Sequence, residues 1–109
     1  MFNNTTIEYE GHEYEIFWTS QDARHICQNY HATDKLHDLH HEEIVTVLER
    51  KSFVQDFGKG RCTFLTKYRD RVYETHVYLK QGTVTRPGRC IIKSCYRSNK
   101  IDYLRLFVA

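Results

Sequence analysis

Between Thr5 and Trp18, apolar and polar positions alternate on either side of Gly11-His12, the period of two that a half-buried strand requires. The alternation predicts a hairpin of Thr5–Tyr9 and Glu13–Trp18. Ile7, Tyr9, Ile16 and Trp18 are its apolar contributors, and Tyr14, Ile16 and Trp18 share one face of the second strand. Ser20 then suits an N-cap, with Asp22 in the first turn of a helix over Gln21–His31. Ala23, Ile26, Cys27 and Tyr30 make its apolar stripe, and Arg24 and His25 lie off it. Ala32 to His41 is a polar, His-rich connection. Residues 42–51 predict a second helix: Ile44, Val45, Val47 and Leu48 repeat helically, Glu42 and Glu43 open it, and Arg50 and Lys51 close it.

From Phe53 the period returns to two. Gly58-Lys59-Gly60 reads as a turn, Arg61–Tyr68 as a strand, Arg69-Asp70 as a tight turn and Arg71–Lys80 as a strand. Gln81–Gly88 reads as a loop, Arg89–Arg97 as a third strand and Ile101–Val108 as a fourth. Strands joined this closely are expected to pair antiparallel. The fold class expected is therefore α+β in a single domain over 1–109. An N-terminal hairpin occupies 1–19, and two helices then lead into a three- to four-stranded antiparallel sheet within a core of 20–109.

Strict alternation sorts the side chains of this sheet into two faces. Tyr73, Thr75, Val77 and Leu79 oppose Val72, Glu74, His76 and Tyr78. Arg89, Ile91, Lys93, Cys95 and Arg97 oppose Cys90, Ile92, Ser94 and Tyr96. One face is expected to pack on helices and the other to carry bases, hydroxyls and tyrosines. The pattern leaves open which face Ile91 and Cys95 take.

Composition narrows the class. With 109 residues, 40% hydrophobic, 14% aromatic and a single proline, the chain suits one packed domain rather than a disordered one. No run approaches a membrane span, and the acidic, polar start is unlike a signal peptide. The four cysteines, Cys27, Cys62, Cys90 and Cys95, form no Cys-x-x-Cys pair. Reduced thiols and a cytoplasmic location are expected. The net charge of +2 hides a strong asymmetry: residues 1–57 carry −7 and residues 58–109 carry +9. The second half is thus expected to face a polyanion.

Two constellations could carry chemistry. Cleaving RNA through its own 2′-OH needs a proton acceptor, a proton donor and cations around the phosphate, with no cofactor. His25 and His31 on the first helix, with Arg61, Lys67, His76, Ser94, Tyr96 and Arg97 on the strands, supply such groups. Alternatively, His37, His40 and His41 would share a helical face beside Asp34 and Asp38, a set zinc accepts. No His-Glu-x-x-His motif or fourth ligand accompanies them, so no metal is expected. Tyr68, Tyr73, Tyr78 and Tyr96 are strand tyrosines able to stack on bases.

Ala23-Arg24-His25, the helix Glu42–Lys51, Gly60-Arg61-Cys62-Thr63-Phe64 and Ile92-Lys93-Ser94-Cys95-Tyr96 occur in an order that resembles small bacterial toxin-like domains. These belong to the barnase–EndoU–colicin–RelE superfamily. The resemblance spans roughly residues 20–98. It implies a metal-independent endoribonuclease in which His25 is the acid/base group and Ser94 and Tyr96 position the reacting groups. It also implies a phosphate contact at Arg61 and, for a toxin, an acidic antitoxin as the protein partner; Lys67, Lys93 and Arg97 are the further cations expected to hold the RNA. The chain departs from the pattern in Ile26-Cys27 after the histidine, in the long connection from His31 to His41, and in Lys93 where an apolar residue is usual. The rival reading is a non-catalytic phage or mobile-element protein whose basic half binds nucleic acid or a protein.

Overall fold

A computed structural model describes residues 2–18 and 39–108. Six strands form one sheet: β1 (Phe2–Tyr9), β2 (His12–Phe17), β3 (Phe53–Gly58), β4 (Arg61–Tyr68), β5 (Arg71–Lys80) and β6 (Gly88–Arg97). Their spatial order is β1-β2-β6-β5-β4-β3. The stretch from β3 to β6 is an antiparallel meander that enters at one edge and walks inward. Its last strand meets the N-terminal hairpin in parallel, with Tyr14 opposite Gly88 and Ile16 opposite Cys90. At that junction a Cβ on Gly88 would lie 2.7 Å from the Tyr14 ring, so only glycine admits the approach.

The architecture differs from the expected one. The hairpin is not an appendage to a three- or four-stranded antiparallel sheet; it completes a single mixed sheet of six strands. Period-two reasoning sees each strand but not its partner, so a parallel contact between segments some 70 residues apart leaves no local trace. Ile101–Val108 is not a strand either. Ile101–Arg105 forms a short helix, α2, with Asp102 in its first turn and Arg105 in its last. The helix expected over Gln21–His31 lies outside the described residues.

The longer helix α1 (His41–Glu49) matches its expected stripe: Ile44, Val45, Val47 and Leu48 are all buried. They pack with Ile16, Trp18, Phe64, Val77, Cys90, Ile92 and Cys95 in one continuous apolar cluster. Glu43 fastens the start of α1. It accepts from the His40 backbone N–H at 3.3 Å, from the Tyr68 hydroxyl at 3.2 Å and from Arg69 at 2.9 Å. The Thr66 hydroxyl donates to the Val47 carbonyl at 2.8 Å, so the one buried hydroxyl reaching α1 from β4 is satisfied. No described helix is long and apolar enough to cross a membrane.

One irregularity decides the chemistry of the other face. In the β5–β6 ladder His76 faces Ser94 while Val77 faces Ile92, so Lys93 is an extra residue, a β-bulge. The bulge breaks the strict alternation expected for this strand. Cys90 and Ile92 point to the helix-packed side, and after Lys93 so does Cys95. Ser94 and Tyr96 therefore join Glu74 and His76 on the open side.

Candidate functional site

The open face centres on Glu74, in the middle of the inner strand β5. Its side chain is fully buried, yet it is charged. One carboxylate oxygen, Oε1, gathers three donors: His76 Nε2 at 2.7 Å, the Tyr96 hydroxyl at 2.8 Å and Lys100 Nζ at 3.2 Å. Ser98 lies against the same carboxyl, but Oε2 makes no hydrogen bond of good geometry. Burial by itself raises the pKa of this group. The hydrogen bonds from His76, Ser98, Tyr96 and Lys100 outweigh burial and bring it from 4.5 down to about 2.

These contacts fix His76. A carboxylate can only accept, so Nε2 carries a proton. The other nitrogen, Nδ1, lies 3.1 Å from the Thr63 hydroxyl, which can donate or accept and so suits either charge state of the ring. The Tyr96 ring stacks on the imidazole with centroids 5.4 Å apart and planes at 20°, and its hydroxyl is 3.0 Å from Nε2. Burial, and then the Glu74 hydrogen bond and charge, raise the Tyr96 phenol well above its ordinary range, so it remains a donor. Thr63, His76 and Glu74 are connected like a nucleophile, a base and an orienting carboxylate. Thr63 is itself completely buried, however, so its hydroxyl orients the ring and is not presented to a substrate.

His76 is one-third exposed and forms part of a cleft of about 390 Å³, with Phe57, Arg61, Thr63, Tyr78 and Lys93 around it. The cleft thus combines an imidazole, two cations and two aromatic rings. Lys100 caps the start of α2, and α2 is itself docked on β3. Tyr103 donates to Gln55 at 2.9 Å, and Phe107 meets Phe53 edge-on at 5.1 Å.

Of the residues singled out from sequence, Arg61 and Lys93 line the cleft, Tyr96 holds His76, and Ser94 faces His76 across the ladder. Lys67 and Arg97 are not part of the group. They pair with Val72 and Tyr73 beside the Arg69-Asp70 turn, and six residues along β4 separate Lys67 from Arg61 by about 20 Å. His25 lies outside the described residues, as do His31 and His37. His40 precedes α1, and His41 sits edge-on to Trp18 at 4.6 Å. No three His, Cys, Asp or Glu among the described residues are placed to hold a metal ion.

Sequence reasoning missed Glu74, Thr63 and Lys100. Glu74 had a signal, a lone carboxylate at the midpoint of a long strand on the same face as His76. Lys100 had none, because the segment after it reads as a strand. No family model matches this chain, and no curated protein or solved structure matches it.

Proposed function

We propose that the chain is a metal-independent endoribonuclease of the toxin type, cutting RNA at the cleft beside His76. One observation carries this reading: an imidazole oriented by a buried carboxylate opens on a cleft bearing Arg61 and Lys93. In such a reaction a base takes the proton of the 2′-OH, and the 2′-oxygen attacks the adjacent phosphorus. The bond to the 5′-oxygen breaks, and that oxygen takes a proton from an acid. The products are a 2′,3′-cyclic phosphate and a 5′-hydroxyl, and no water is consumed. His76 is one acid/base group and His25 the second. Ser94 and Tyr96 position the reacting groups, and Arg61 and Lys93 offset the charge that builds on the phosphoryl oxygens.

The buried thiols of Cys62, Cys90 and Cys95 suit a reducing compartment, and we place the protein in the cytoplasm. The +9 half suits RNA and equally an acidic antitoxin that would cover it.

A second reading has its own support. Both ring nitrogens of His76 already have partners within the protein, as they would in a binding module that holds RNA without cutting it. Incubating RNA with the protein in EDTA separates the two. Parent protein is expected to leave cyclic phosphate ends, with the rate falling by about 10²–10⁴ in His76→Ala and in His25→Ala, each variant being checked for folding by circular dichroism. Binding without cleavage establishes the module instead, and cleavage lost on adding EDTA rules out the metal-independent route.

A further inference from the structure

We propose that the cleft beside His76 holds one unpaired nucleotide, its base against Phe57 and Tyr78 and its phosphate at Arg61 and Lys93, so that the substrate is single-stranded RNA. The inference rests on the RNA reading above and adds what kind of RNA is taken.

Phe57 is 51% exposed and Tyr78 41% exposed, on the rim of a cleft that also carries two cations. Exposed aromatic rings beside phosphate-binding cations are what a stacking platform for bases requires. The backbone that carries the two rings is also held in place. The Gly60 carbonyl accepts from the Leu79 N–H at 2.7 Å. A Cβ on Gly60 would fall 2.5 Å from the Leu79 carbonyl oxygen, so the turn after Phe57 is pressed against β5 next to Tyr78. Arg61, the first residue after that turn, is directly opposite Tyr78 in the ladder, which brings cation and ring to the same rim.

Size and shape favour a single strand over a duplex. About 390 Å³ lies at the small end of ligand clefts, enough for one nucleotide. In A-form RNA each base face is covered by its neighbours, and the groove that displays base edges is shallow. A continuous helix could lay its phosphates on this surface but could not deliver a base to Phe57 and Tyr78.

The test is fluorescence anisotropy with a labelled 2′-O-methyl oligonucleotide, which lacks the attacking hydroxyl and survives intact. It is compared with the same strand annealed to its complement, and with heparin as a polyanion without bases. The parent is expected to bind the single strand more tightly than the duplex. Phe57→Leu and Tyr78→Leu are expected to weaken single-strand binding by about 5- to 100-fold while leaving heparin binding unchanged, and Tyr78→Trp to restore it. Folded leucine variants that bind the single strand like the parent, or a parent that prefers the duplex, overturn this proposal while RNA cleavage stands. A folded parent that binds neither nucleic acid overturns both.

Discussion

The two faces of this sheet are built from alternate residues of the same strands, yet burial means different things on each. On the α1 side Ile44, Val47 and Leu48 close over Phe64, Cys90 and Ile92, and what leaves water is carbon and sulfur apart from hydroxyls such as that of Thr66, which is hydrogen-bonded to α1. Burial drives the thiols of Cys62 and Cys90 up to about 11 and about 12, so both stay neutral. On the other side burial encloses an ion. Glu74 is as deeply buried as Phe64, but three donors on Oε1 keep it charged. The apolar face secures the fold through area removed from water, whereas the polar face fixes one geometry, because each donor must meet the carboxylate.

Lys93 is the pivot between these regimes, and deleting it should produce the largest effect. Without the extra residue, Ser94 to Arg97 exchange faces: Cys95 turns outward, and Ser94 and Tyr96 turn toward α1. That strands Glu74 without the Tyr96 donor and inserts polar groups into the apolar cluster. Deletion of Lys93 is expected to cost more than about 4 kcal/mol, enough to abolish cooperative urea unfolding. Lys93→Ala keeps the bulge and should stay within about 0.5 kcal/mol of the parent. A deletion variant with parental unfolding would show that the bulge does not set which face Tyr96 takes.

Acid sharpens the same contrast, since only the polar face contains a titrating carboxylate at its centre. Glu74 is held at about 2 in the folded protein against 4.5 as its ordinary value. As the pH falls, the unfolded chain therefore takes up this proton first. The stabilisation is whole above pH 4.5 and is lost progressively as the pH falls to 2. The shift corresponds to about 3 kcal/mol. Urea unfolding at pH 6 and pH 2 should show a stability loss smaller by about that amount in Glu74→Gln than in the parent. Equal losses in the two proteins would mean that Glu74 is not the buried anion of the open face.

Much of the fold was legible because it is local. The stripe of Ile44, Val45, Val47 and Leu48, the turns at Gly58-Lys59-Gly60 and Arg69-Asp70, and the face shared by Glu74 and His76 all follow from short-range periodicity. The parallel contact of β2 with β6 and the inserted Lys93 do not, because a pairing partner and an unpaired residue are properties of two strands together. The site divides along the same line. Arg61, Lys93, Ser94 and Tyr96 could be chosen by residue type and strand position, whereas Lys67 and Arg97, of the same chemistry, stand on β4 and β6 toward the Arg69-Asp70 turn. The segment after Ser98 shows a further limit. Leu104, Leu106 and Val108 alternate as a strand requires, but Tyr103 and Phe107 find partners on β3 that hold the chain as a helix instead.

The smallest expected effect concerns the link between that helix and the carboxylate. Lys100 is about half exposed, so water screens its attraction for Glu74 and the pair adds under about 1 kcal/mol at neutral pH. Lys100 is nonetheless one of the donors holding the Glu74 carboxyl down. Lys100→Met should therefore lower neutral-pH stability by no more than that small amount and move the lower end of the acid transition, where the folded carboxyl takes its proton, to correspondingly higher pH. Lys100→Arg, which still presents a cation, should return the transition most of the way. Phe107→Ala, which loosens α2 from β3 without touching Lys100, should shift it only as far as it frees the lysine. If the Met variant has a parental acid transition, then Lys100 rests beside Glu74 without acting on it, and His76, Tyr96 and Ser98 hold the buried charge alone.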